Sequence, residues 1–205
     1  RDKLLIKLDW EEWQEVVPPY EGVSFTQRNV FTRFKRNGYD WDIQGILYSP
    51  EEEADPSVAV VMFHGGAGSA YGKDKTPDGR PGLPRILASQ GFKVLNLTYP
   101  GHYPPGGVWK ESVATRQPWY LLDKKLDNSE IYDRNLKCTF NVILEGSAQL
   151  VDKNLAGKKI FAHGHSTGGP MAAHLYRFTK KCIVVGILGW GSGGPDGWRK
   201  EWRDK

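Results

Sequence analysis

Apolar residues cluster along the chain in short, nearly unbroken runs. Residues 58–63 read Val-Ala-Val-Val-Met-Phe, and similar runs open at residues 92, 159 and 182. Runs this short without alternation predict central parallel strands covered on both faces. The strand over residues 182–190 is expected to be buried like the others. Earlier, the pattern alternates. Val30, Thr32 and Phe34 interleave with Phe31, Arg33 and Lys35, and Trp41, Ile43, Gly45 and Leu47 follow on the far side of Asn37-Gly38. Alternation around that dipeptide predicts a β-hairpin over residues 23–48.

Helical spacing appears between the apolar runs. Residues 83–90 predict a short helix closed by Gly91. Residues 127–153 carry the longest helical pattern, opened by Asp127 and Glu130 in capping-box spacing. Ile131, Asn135, Leu136, Phe140, Ile143, Leu144 and Ala148 lie on its core side. A third helix is predicted over residues 171–178. Strands alternating with helices from Val58 onward define an α/β class: a doubly wound, mostly parallel sheet preceded by an antiparallel N-terminal hairpin. Residues 1–22, with Trp10, Trp13 and Pro18-Pro19, predict an N-terminal arm packed over the surface. Residues 23–190 form the core, and the charged, glycine-rich tail of residues 191–205 follows.

Composition narrows the classes. The chain has 205 residues, 39% hydrophobic and 25% charged, which suffices for one domain with a sizeable core. The net charge of +4 is spread among acidic residues, as around Arg33, Lys35, Arg36, Asp40 and Asp42, so no basic stripe points to nucleic acid. Cys138 and Cys182 are too few for a disulfide scaffold. One disulfide or two buried thiols both fit, and no Cys/His spacing suggests a metal. No apolar run approaches the length of a membrane span. The chain begins at Arg1 rather than Met, as a processed or trimmed end would, and its compartment stays open, secretion included. Asn96-Leu97-Thr98 is a formal glycosylation acceptor, but it falls inside a predicted buried strand.

Two stretches carry chemistry. The run at 159 passes through Gly164-His165-Ser166-Thr167-Gly168 and continues into Pro170 and a helix. A serine on a sharp strand-to-helix turn projects its hydroxyl from the top of a sheet, and small residues two before and two after it let the backbones pass closely. The helix start then directs free N–H groups at the place where an oxyanion would form. The second stretch, His64-Gly65-Gly66-Ala67-Gly68, ends the run of residues 58–63, where glycines let N–H groups turn into the crevice. A phosphate loop fits poorly, because the Lys-Ser/Thr pair is absent. A dinucleotide site would want an acid after the next strand, where Tyr99-Pro100-Gly101-His102 offers none.

The two motifs, in this order and about a hundred residues apart, resemble the α/β-hydrolase superfamily over residues 23–190. The resemblance implies that Ser166 is the nucleophile. It implies oxyanion donors from the backbone of Thr167 and of the glycine loop, Gly66 first, with Gly65 or Ala67 as alternatives. His64, Gly65, His165 and Tyr103 would border the substrate pocket, with His165 packing or orienting rather than acting as base. The motifs are unspecific for substrate; the leading expectation is a small-molecule carboxylic ester cleaved through an acyl-enzyme with neither metal nor other cofactor, and an amide, lactone or thioester stays open. Tyr99, Tyr103, Trp109, Trp119 and Tyr120 near the expected mouth suggest an apolar or aromatic substrate part. Transfer of the acyl group to an acceptor other than water uses the same residues. A non-catalytic hydrolase-like binding protein is the other reading.

One departure from the family pattern is large. The family order is serine, acid, histidine, yet no histidine follows His174, which sits in the helix after the serine. Asp196 is an acid candidate and His102 a base candidate, though His102 precedes the nucleophile. The last strands of the fold are also unaccounted for. The expectation is therefore an N-terminal portion of a longer hydrolase, cleaved in the surface region of residues 191–205, with a C-terminal fragment of the same precursor bound as a second chain that carries the base.

Overall fold

The computed structural model describes residues 14–17, 22–65, 82–99 and 139–190. Seven strands form one mixed sheet: β1 Gln14–Val17, β2 Phe25–Arg36, β3 Tyr39–Pro50, β4 Val58–Phe63, β5 Lys93–Thr98, β6 Lys159–His165 and β7 Ile183–Trp190, in the spatial order β1-β2-β3-β5-β4-β6-β7. The first three strands are antiparallel and join β5 antiparallel; β5, β4, β6 and β7 run parallel. The predicted hairpin is β2–β3, with Arg36 opposite Tyr39. Its two turn residues, Asn37 and Gly38, have φ of 53° and 81°, the left-handed pair that matches the twist of the flanking strands. Within the stretch read as an N-terminal arm, residues 14–17 extend the sheet as β1; Trp10, Trp13 and Pro18-Pro19 lie outside the described residues.

Helices α1 Leu83–Ser89, α2 Phe140–Asn154 and α3 Gly168–His174 follow β4, precede β6 and follow β6. They cover both sheet faces. On one face Phe25, Ile46, Tyr48, Met62 and Val94 pack with Ala88 of α1. On the other, Val30, Phe34, Trp41, Ile43, Val61, Leu95 and Ile160 pack with α2 and with Met171 and Ala172 of α3. The long helix starts later than its pattern predicts. Thr139 has extended backbone, and its hydroxyl accepts from the Val142 N–H at 3.4 Å, so it is the N-cap. The Asp127–Glu130 pair lies outside the described residues. The helix predicted at 171–178 starts at Gly168 and tightens to a 3-10 turn, Leu175–Arg177.

The strand read as buried at 182–190 is not. Among the described residues β7 is the last strand in the order and pairs only with β6. Ile183 is 69% and Leu188 64% exposed, and Val185 and Ile187 are also open, as is Phe161 on the adjoining strand. Apolar composition predicted a covered strand, but cover is a property of neighbours, and among the described residues nothing lies beyond β7. Cys182, just before it, is a free thiol that donates to the Leu155 carbonyl at 3.0 Å. Burial, then Asp152, pushes its pKa up to about 11. Cys138 lies outside the described residues. Asn96 is fully buried on β5, as its place in a central strand implied.

Gly146 of α2 sits on the rings and side chains of β2 and β3. A Cβ there would overlap Phe34 and Ile43, with Phe34 Cζ at 2.9 Å. In an open helix Gly→Ala stabilises by about 1 kcal/mol, but overpacking costs about 1–3 kcal/mol. Gly146→Ala should therefore lower the melting temperature. At the other end of the strands, Glu53 takes Lys158 at 2.7 Å and Lys93 at 3.0 Å. Burial works to raise the Glu53 pKa, but the hydrogen bonds and charges of both lysines outweigh it and hold the pKa below the usual glutamate value. A depressed acid gives stability that is present above its unfolded pKa and is lost as pH falls through its folded pKa. Glu53→Gln should cost about 1–2 kcal/mol at pH 7. In urea melts repeated at progressively lower pH, that difference should vanish once the folded carboxyl is protonated.

Candidate active site

The parallel strands end together, and the two chemical motifs leave neighbouring strands. β4 lies between β5 and β6, with Val61 beside Ala162 and Phe63 beside Gly164. Chain order reverses here: β5 is laid down on one side of β4 and β6 on the other. The crevice at the carboxyl ends of strands flanking such a reversal is where α/β sheets place ligands.

Ser166 is the apex of the turn between β6 and α3. Its φ of 52° puts a non-glycine residue in the left-handed region, at a cost of about 1–2 kcal/mol. The contacts around it show what holds it there. A Cβ on Gly164 would overlap the carbonyl group of Gly168. A Cβ on Gly168 would lie 2.5 Å from the Phe63 carbonyl oxygen and 2.7 Å from that of His64. Strand, helix start and the end of β4 therefore meet backbone against backbone, and only hydrogen fits between them. The Gly169 N–H donates to the Ser166 carbonyl at 2.9 Å and closes the turn. Thr167 follows with helical backbone and is nearly buried. Pro170 falls in the first turn of α3, where its missing N–H has no helical partner to lose.

Gly65 adjoins the serine. A Cβ on it would stand 2.9 Å from His165 Nδ1 and 3.1 Å from Ser166 Cβ. The structure thus brings together His64, Gly65, His165, Ser166 and Thr167. His165 is half-buried, and its ring lies against Gly65. His64 is fully buried, with Nδ1 2.6 Å from the Gly65 carbonyl oxygen. His174 ends α3, away from the turn at the head of that helix; burial, then the nearby Arg177 charge, lowers its pKa. Gly66, Ala67, Gly68, His102, Tyr103, Trp109, Trp119, Tyr120 and Asp196 lie outside the described residues. Among the described residues no group of three or more His, Cys, Asp or Glu could hold a metal, and no helix is long and apolar enough to cross a membrane.

One residue counted toward the mouth belongs elsewhere. Tyr99 is 2% exposed and packs beneath the β4 loop, stacked on His64 and next to Phe63. Its place was readable from register, since Met62 beside Asn96 sets Gly65 level with Tyr99. An aromatic at a strand end before a Pro/Gly loop had instead suggested a pocket wall.

No family model and no curated protein matches the sequence. Solved structures do match. An esterase titled as a novel cold-adapted enzyme from an Arctic intertidal metagenomic library aligns with a TM-score of 0.50 at 14% identity, over 89% of this chain and 65% of that one. A structure titled as a novel bacterial esterase aligns at 0.49 and 13% identity, over 86% and 67%. A putative lipase from Sulfolobus solfataricus aligns at 0.48 and 18%, over 88% and 50%. The chain thus spans 65% and 50% of the lengths of the cold-adapted esterase and the Sulfolobus protein. At such identities the likeness bears on architecture. The chain has the α/β-hydrolase fold.

Proposed function

We propose that this protein is a serine hydrolase that cleaves a carboxylic ester through an acyl-enzyme on Ser166. The observation that carries the reading is the left-handed Ser166 held at the β6–α3 turn against Gly65. Strain of this kind persists only where the surroundings impose it, and it clusters at functional sites. In the proposed reaction Ser166 Oγ attacks the ester carbonyl carbon while a base takes its proton. Charge collects on the carbonyl oxygen, to which the backbone N–H groups of Thr167 and of the glycine loop, Gly66 foremost, donate hydrogen bonds. The C–O bond to the alcohol then breaks, the alcohol takes the proton, and water repeats the attack on the acyl-enzyme. His64 and His165 shape the floor of the site.

The base and its acid are placed on polypeptide outside the described residues, on a C-terminal segment or second chain of the same precursor that continues the sheet along β7. The exposed apolar side chains of Ile183, Val185, Ile187 and Leu188 support that reading. A binding protein that has the fold without the base is the competing outcome.

A fluorophosphonate probe separates them. The intact protein should be labelled on Ser166 and should hydrolyse p-nitrophenyl acetate, and Ser166→Ala should abolish both. A folded wild-type protein that stays unlabelled would sink the enzyme reading. The strain has its own signature. Glycine adopts the left-handed conformation without a Cβ penalty, so Ser166→Gly should be about 1 kcal/mol more stable than Ser166→Ala. Denaturant melts of the two inactive variants check this.

A further inference from the structure

The residue after the strand beside β4 makes two contacts with the start of the glycine loop. Tyr99 follows β5 directly, and its ring stacks on the His64 imidazole, with centroids 3.9 Å apart and planes 26° from parallel. Its hydroxyl donates to the His64 carbonyl oxygen at 2.9 Å. That same oxygen faces Gly168, the first residue of α3. The His64 carbonyl is therefore fixed by a hydrogen bond from one strand and by close backbone contact from the helix that follows Ser166.

A trans peptide is planar, with its C=O and N–H pointing in opposite directions. Fixing the His64 carbonyl thus fixes the Gly65 N–H and the direction in which the chain leaves β4 beside Ser166. We propose that Tyr99 is a positioning residue for the oxyanion loop, acting through the His64–Gly65 peptide rather than on substrate. The inference rests on the ester-hydrolase reading above. A hydroxyl that merely satisfied a buried carbonyl would matter for stability. A hydroxyl that aims the loop matters for the transition state, because oxyanion donors act only when correctly placed before charge develops.

Tyr99→Phe keeps the stacked ring and removes only the hydroxyl. Tyr48→Phe, at a fully buried tyrosine in the α1-side core, is the control for loss of a buried hydroxyl. With p-nitrophenyl acetate, Tyr99→Phe should lower kcat by about tenfold or more with KM within about twofold. Its inhibition constant for an alkyl trifluoromethyl ketone, whose serine adduct carries an oxyanion, should rise by the same factor. Tyr48→Phe should change neither. The inference is overturned by a Tyr99→Phe protein with wild-type kcat and inhibition constant. It is equally overturned if that protein does not fold, since the hydroxyl would then serve the fold. Wild-type protein that neither turns over the ester nor takes the fluorophosphonate label defeats the hydrolase reading and this inference together. That outcome is read on the wild type alone, so the two failures are distinguishable.

Discussion

The site depends on one steric constraint: three pieces of backbone, from β4, β6 and α3, occupy a space that admits no side chain. Gly164 and Gly168 exist at their positions because strand and helix start touch there, and Gly168 also touches the carbonyls that end β4. Ser166 sits in the turn beside that contact, between β6 and α3, with a left-handed backbone. The penalty of that conformation is small against the packing that enforces it. Met171 and Ala172 anchor α3 in the core three and four residues beyond the contact, so the turn cannot relax without moving the helix off the sheet.

The sheet supplies the second half of the arrangement. Parallel pairing of β4 with both β5 and β6 ends three strands at one level, and the reversal of chain order opens the crevice beside them. The ends differ in chemistry. At the amino-terminal end, the Glu53, Lys93 and Lys158 side chains tie the loop before β4 to the starts of β5 and β6. At the carboxyl-terminal end the ties are stacked rings and backbone carbonyls, Tyr99 on His64 and Gly168 on the β4 end. Ion pairs suit a solvated rim. A packed underside holds the backbone dipoles of the β4 end fixed, as the proposed function requires of an oxyanion site.

Much of this was legible in the sequence because it rests on local rules. The Asn37-Gly38 turn, the continuous run of β4 and the glycine spacing around Ser166 each specify geometry within a few residues, and each is found where the pattern put it. What was illegible depends on neighbours distant in sequence. The start of α2 is set by the extended backbone at Thr139, while the apolar periodicity runs through it unchanged. Tyr99 reads as one more aromatic before a loop until the β4–β5 register places it under His64. The composition of β7 matches that of β4, but an edge and a centre differ only in what lies beyond them.

That last difference bears on chemistry as well as on stability. A parallel strand bearing Val, Ile and Leu on an open edge is a template for further pairing, and natural sheets generally blunt such edges with charge, proline or cover. Between Ile183 and Gly189 β7 carries neither charge nor proline, and among the described residues nothing covers its edge. Strand β6, which leads into Ser166, is its immediate neighbour, so a strand paired with β7 would lie two strands from Ser166. A serine hydroxyl needs a base brought to it from a rigid element. The described residues hold the Ser166 turn and the start of the glycine loop at His64–Gly65 in place, and under the proposed function the open side of β6–β7 is the side from which a base carried on a further strand would reach them. Under the proposed function, the apolar edge and the need for a base thus point to the same place in the fold.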